Sequence, residues 1–218
     1  MVKKYLVLGV LFILPITLYL FLSTGVNHFA KLPVLTNNIK DLNNFSTVDG
    51  EKVSLSGNIT ILSFFGNDIH SKFGHIFNLT HKIYKPYHQF EDLQFVVVLQ
   101  NGSEELVEEL LLELQKIENT SKWHFVFGSP EEIHSVFNAM ETNLSLDENA
   151  SIGEVFIVDK NQNLRGRDDD KDVGLLYGYD ISSVAEINNR LKDDVKVILA
   201  EYRMALKKYN TINPENGS

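Results

Sequence analysis

Apolar residues run from Tyr5 to Leu22 (YLVLGVLFILPITLYLFL) without a charge. A helix of that length rises about 27 Å, close to the roughly 30 Å hydrocarbon thickness of a bilayer. Lys3 and Lys4 precede the run and the next cation is Lys31, so the positive-inside rule keeps the short N-terminus cytoplasmic and exports the rest. Residues 1–27 are expected to be an uncleaved membrane anchor, because the run exceeds a signal-peptide core and no A-x-A-like site follows it; a cleaved signal peptide is the rival reading, since Ser23-Thr24-Gly25 offers small residues after the run. The Asn-rich residues 28–44 read as a linker.

Beyond this point the pattern alternates between strand and helix periods. Phe45–Leu55 (FSTVDGEKVSL) holds two β-prone stretches around Asp49-Gly50, the signature of a hairpin. Asn58–Phe65 and Leu93–Leu99 are continuous apolar runs of strand length, as in strands covered on both faces. Between them Phe73, Ile76, Phe77, Leu79 and Ile83 supply an inner helical face that breaks near Pro86. Ser103, with Glu104 and Glu105 behind it, is placed to cap a helix whose stripe is Val107, Leu110, Leu111, Leu114 and Ile117.

Trp123–Phe127 reads as a short strand, and Ser129-Pro130-Glu131-Glu132 as a cap with proline at the first helical position. Glu154–Val158, a turn at Asp159–Asn163 and Leu164–Arg167 read as a late hairpin. A long helix is expected from about Asp180 to Lys207, with Val184, Ile187, Leu191, Val195, Ile198, Tyr202 and Leu206 on one face. Its Tyr202–Tyr209 end is a candidate partner surface, and residues 210–218 read as a disordered tail. This order predicts an α/β fold with a central mixed sheet and helices on both faces, one domain over residues 45–209.

Composition narrows the chemistry. The 218 residues include no cysteine, which removes disulfides, thiolate nucleophiles and Cys-ligated metals together. Lys3 and Lys4 are the only charges before Lys31, so the remainder carries 18 Lys and Arg against 29 Asp and Glu, a net −11. Such a surface does not suit nucleic acid. It makes a basic protein partner plausible, though composition names none.

Three segments carry a resemblance: FSTVDGEKVSL (Phe45–Leu55), ITILSFFG (Ile59–Gly66) and GEVFIVDKNQNLRGR (Gly153–Arg167). With the single anchor, they resemble the Sco/SenC proteins, membrane-anchored thioredoxin-like copper chaperones of cytochrome oxidase assembly. The resemblance implies a thioredoxin-like sandwich over roughly residues 45–205. It also implies a C-x-x-x-C copper site after the first central strand and a histidine before the late hairpin. Here those cysteines fall near Ile69 and Phe73, and the histidine near Asn149–Ile152 (NASI). None of the copper ligands carries over. The chain resembles a family member without the family's site.

Other candidate ligands are His70, His75, Asp168 and Asp170. On an ideal helix His70, His81 and His88 share a face, but His70 and His81 lie about 16 Å apart, too far for one metal. Asp168-Asp169-Asp170 with Asp172 lacks the D-x-D-x-D-G calcium-loop pattern and reads as a solvated loop with Arg165 and Arg167 as neighbours. No nucleophile elbow, P-loop or G-x-G-x-x-G is present. Eight N-x-S/T sequons occur, with Asn58 and Asn78 inside expected regular elements, which fits an Asn-rich composition better than glycosylation.

The sequence therefore points to a non-enzymatic, cofactor-free binding or assembly module in a bacterial inner membrane, with its C-terminal domain on the periplasmic side. A metal carrier with a His/Asp site and a carboxylate-based enzyme are the alternatives.

Overall fold

The computed structural model describes residues 2–23 and 31–212, as two separate compact units. The first is helix α1 (Val2–Ser23), with Pro15 inside it. Its Lys3–Leu20 stretch has a mean hydropathy of 1.7, long and apolar enough to cross a membrane. Residues 24–30, between α1 and the second unit, lie outside the described residues.

The second unit is built on a mixed sheet. Its strands are β1 (Val34–Thr36), β2 (Ile59–Gly66), β3 (Leu93–Gln100), β4 (Trp123–Gly128), β5 (Glu154–Val158) and β6 (Leu164–Arg165), in the order β1-β6-β5-β2-β3-β4. β2, β3 and β4 run parallel, while β5 is antiparallel to β2 and β6 to β5. A two-stranded hairpin, β7 (Arg167–Asp170) and β8 (Gly174–Leu176), follows, and β9 (Tyr179–Asp180) pairs with the start of β5.

Side chains alternate across the sheet, so each strand feeds two cores. Phe95, Val97 and Leu99 of β3 face one core, with Ile157 of β5 and Phe125 of β4. Val96 and Val98 face the other, with Phe156 and Val126. The first core is roofed by α2 (Phe73–Leu79), its π-helical continuation Thr80–Tyr84 and the short α3 (Lys85–Tyr87). α4 (Glu104–Gln115) and the C-terminal helix complete that layer. The second core is covered by α5 (Pro130–Asn138), where Ser129 and Glu132 form a reciprocal capping box.

Several local expectations change. Residues from Lys31 belong to the folded unit rather than to a linker: Val34–Thr36 is a strand, and Leu32, Ile39 and Leu42 are buried. The expected N-terminal hairpin is only a turn. Gly50, at φ +79°, donates to the Thr47 carbonyl, while Ser46 makes an isolated bridge to Phe127. The Asp41 carboxylate takes the Leu55 amide at 2.8 Å and the Ser54 hydroxyl at 2.7 Å, which occupies the backbone a second strand would have paired. Ser103 makes no side-chain cap.

The last helix begins later than its apolar spacing suggests, because Asp180 is taken by β9. It comprises α6 (Val184–Glu186), a π turn at Ile187–Leu191 and α7 (Lys192–Ile212). Asn210–Ile212 are thus helical rather than a tail, and residues 213–218 lie outside the described residues.

Candidate functional site

The end of β2 closes directly against the loop before β5. Gly66 has φ +47°, and a Cβ there would sit 1.9 Å from the Asn149 carbonyl oxygen, so only glycine fits. The Asn67 amide donates to the Asn149 carbonyl and the Ile152 amide to the Phe64 carbonyl, both at 2.9 Å. Asp147 shapes the loop from within, its carboxylate accepting from the amides of Asn149 (2.8 Å) and Ser151 (2.9 Å).

The loop at which the sequence resemblance puts a histidine thus closes on the end of β2, just ahead of the two places where it puts cysteines, and other groups fill all three. Ile69 is fully buried in the first core and Phe73 packs half-buried against it. Asn149–Ile152 presents one fully buried polar side chain, Ser151, whose hydroxyl has no hydrogen-bond partner.

The candidate ligands are separated. His70 is exposed, its ring 5.5 Å from that of Phe73. His75 is half-buried and its Nδ1 has no hydrogen-bond partner. Burial, reinforced by the Lys72 ammonium, holds its imidazole below the ordinary value against the opposing pull of Asp180 and Asp68. Among the described residues, no three His, Asp or Glu side chains form a group that could hold a metal.

The acidic run lies on a strand and its turn rather than in a loop, with Asp168, Asp169 and Asp172 exposed to solvent and Asp170 buried. Asp168–Asp170 lie on β7, where Asp168 is exposed and Asp170 is buried between Arg190 (3.2 Å) and Arg167 (3.5 Å). Arg167 is held chiefly by Asp194 at 2.7 Å, which also accepts from the Tyr179 hydroxyl at 2.8 Å. Arg190 further pairs with Glu186 at 2.9 Å and with Asp172. Arg165 is buried and does not turn to the run at all. It donates to Asp159 at 2.8 Å, to Glu201 at 2.7 Å and to the Leu32 carbonyl at 2.7 Å. These arginines are committed to ion pairs that lock the late hairpin to the last helix.

One pair had no motif to reveal it. β5–β9 pairing sets Glu154 opposite Asp180. Burial pushes the Glu154 carboxyl up and Asp180 adds to this, while hydrogen bonding to the Glu154 and Gly153 backbone and the Lys72 ammonium oppose it. No salt bridge involves either acid among the described residues. Glu154 opens an apolar strand and Asp180 follows Gly178-Tyr179, so only the register joins them.

No family model matches the sequence, and no curated protein matches it. Solved structures do. A candidate protein disulfide isomerase from Bacteroides thetaiotaomicron superposes with TM-score 0.53 at 12% identity, over 81% of this chain and 98% of that one. The soluble domain of Sco1 from Bacillus subtilis matches at TM-score 0.47 and 16% identity, over 76% of this chain and 94% of that one. Copper-bound ScoI of Arabidopsis thaliana matches at TM-score 0.45 and 18% identity, over 73% and 98%. At these identities the likeness is one of architecture: the unit from Lys31 onward is a thioredoxin-like α/β domain.

Proposed function

We propose that this chain is a membrane-tethered, non-redox thioredoxin-like protein that serves as a protein-binding or assembly module on the periplasmic side of a bacterial inner membrane. The observation that carries this reading is the end of β2. Ile69 lies wholly inside the core where the Sco/SenC resemblance puts a thiolate, and the chain has no cysteine elsewhere. Thiol–disulfide exchange needs a thiolate to attack a disulfide sulfur, so the scaffold has nothing with which to begin it. What remains is an acidic surface. A net −11 steers basic protein surfaces toward it. The apolar run of α1, with Lys3 and Lys4 at its N-terminal end, supports a tether with the head exported. The resemblance makes cytochrome oxidase assembly the first process to test.

The test is copper competition on the full chain in detergent, with Cu(I) and Cu(II) against a chelator, beside crosslinking in native membranes. The expected result is copper binding no tighter than that of an unrelated histidine-containing protein, together with a discrete crosslinked membrane protein. A tight one-to-one copper complex that His75→Ala abolishes would replace this reading with that of a metal carrier.

A further inference from the structure

Glu154 and Asp180 are half-buried. They help line a cavity of about 280 Å³ beside the β7–β8 hairpin, walled by Leu144, Leu175 and Tyr177. Gly178 forms part of the wall, and a Cβ there would come within 3.0 Å of the Glu154 Cβ and the Phe156 ring. At the rim, Val173 and Leu175 are 58% and 46% exposed, large for apolar side chains of a folded unit. Asp168 and Asp169 beside them are exposed and, among the described residues, form no ion pair. Arg190, which also lines the cavity, is already engaged by Glu186, Asp170 and Asp172.

We propose that this cavity receives a lysine or arginine side chain from a basic, apolar-flanked segment of a partner protein, with its aliphatic stem against Leu144, Leu175 and Tyr177 and its charged end on Glu154 and Asp180. Two half-buried carboxylates set opposite each other on paired strands repel each other and lose part of their hydration. A cation on a methylene stem relieves both costs, because it carries apolar surface and opposite charge on one side chain. Val173 and Leu175 then meet apolar residues flanking the inserted cation, and Asp168 and Asp169 meet further basic groups at the rim. This deepens the protein-binding reading above and rests on it.

The probe is a fluorescent peptide of alternating lysine and leucine, titrated by anisotropy into the full chain in detergent. Two control peptides carry norleucine for lysine, or serine for leucine. The lysine–leucine peptide is expected to bind at least about tenfold tighter than either control, because only it offers both charge and apolar flanks. Glu154→Gln with Asp180→Asn should weaken it about tenfold, and Leu175→Ser about threefold, while Leu112→Ser on another exposed site leaves it unchanged. Thermal unfolding checks that each variant is folded. Equal binding of the lysine–serine peptide, or unchanged binding by the double carboxamide variant, would overturn the proposal in favour of diffuse attraction to an acidic surface.

A photo-crosslinking residue at position 175 or 112 in native membranes separates this inference from the reading beneath it. A crosslink from 175 to a net-positive peptide, lost in the Glu154→Gln/Asp180→Asn background, supports the cavity. Crosslinks from 112 alone overturn the cavity and leave the assembly role standing. Crosslinks from neither position overturn both.

Discussion

The Asn67 amide donates to the Asn149 carbonyl at 2.9 Å, tying the end of β2 to the loop before β5 across a gap of 82 residues in sequence. The contact depends on Gly66, whose missing side chain lets the two backbones meet. It closes the end of β2 two residues ahead of Ile69, which is fully buried.

Gly66→Ala should therefore be costly. It combines a left-handed backbone with a Cβ driven into a carbonyl, and about 2–3 kcal/mol of destabilisation is expected. For a unit of this size that lowers Tm by roughly 4–12 °C, measured by circular dichroism. Gly57→Ala is the control, since Gly57 has φ +82° but a Cβ there would meet nothing within 4 Å. It should cost about 1 kcal/mol, and an equal loss at both positions would remove the steric argument.

Arg165 sits at the meeting of three segments: Asp159 of the β5–β6 turn, Glu201 of α7 and the Leu32 carbonyl where the chain enters the unit. Arg165→Met leaves the buried Asp159 uncompensated and should cost about 3–5 kcal/mol. Asp159 also holds its turn by accepting from the Asn161 and Asn163 amides. Arg165→Met/Asp159→Asn should therefore recover part of the loss but not all of it. Urea unfolding of the four members of the cycle measures the coupling.

Acid should loosen the protein through its histidines. His75 and His124 are both held below the ordinary imidazole value of 6.5, by burial first and then by Lys72 and Lys122 respectively. The unfolded chain then binds the proton more tightly, so stability is full above about pH 6.5 and falls as pH drops below it. His124→Gln should flatten that fall. Glu154 acts in the opposite sense. Its carboxyl is raised from 4.5 by burial, so its contribution is present below about pH 4.5 and lost as pH rises through the folded value. Glu154→Gln should stabilise the protein at pH 7, and urea midpoints between pH 4 and 8 read both effects.

The tether has its own test. The full chain should remain with membranes through carbonate washing, whereas residues 31–218 alone should be recovered soluble with the same melting temperature within about 2 °C. The second unit carries both hydrophobic cores by itself. Release of the full chain by carbonate would argue against α1 as a span.

The sequence alone determined the apolar helix, the apolar strand runs that become β2, β3 and β4, the Ser129 cap of α5, and the absence of cysteine. Each is local, because a continuous apolar run, a Ser-Pro-Glu-Glu cap or a cysteine count needs no distant partner to be read. Only the tertiary structure decided that Leu32 to Leu42 belong to the core, that Asp49-Gly50 closes a turn rather than a hairpin, and that Asp180 pairs in β9 instead of starting a helix. Those outcomes rest on partners more than 20 residues away: Arg165 for the entry segment, Phe127 for Ser46, Glu154 for Asp180. The cavity beside Glu154 belongs with them. A carboxylate opening one strand and a carboxylate ending another have no shared period, and they become one feature when the backbone ladder sets them face to face.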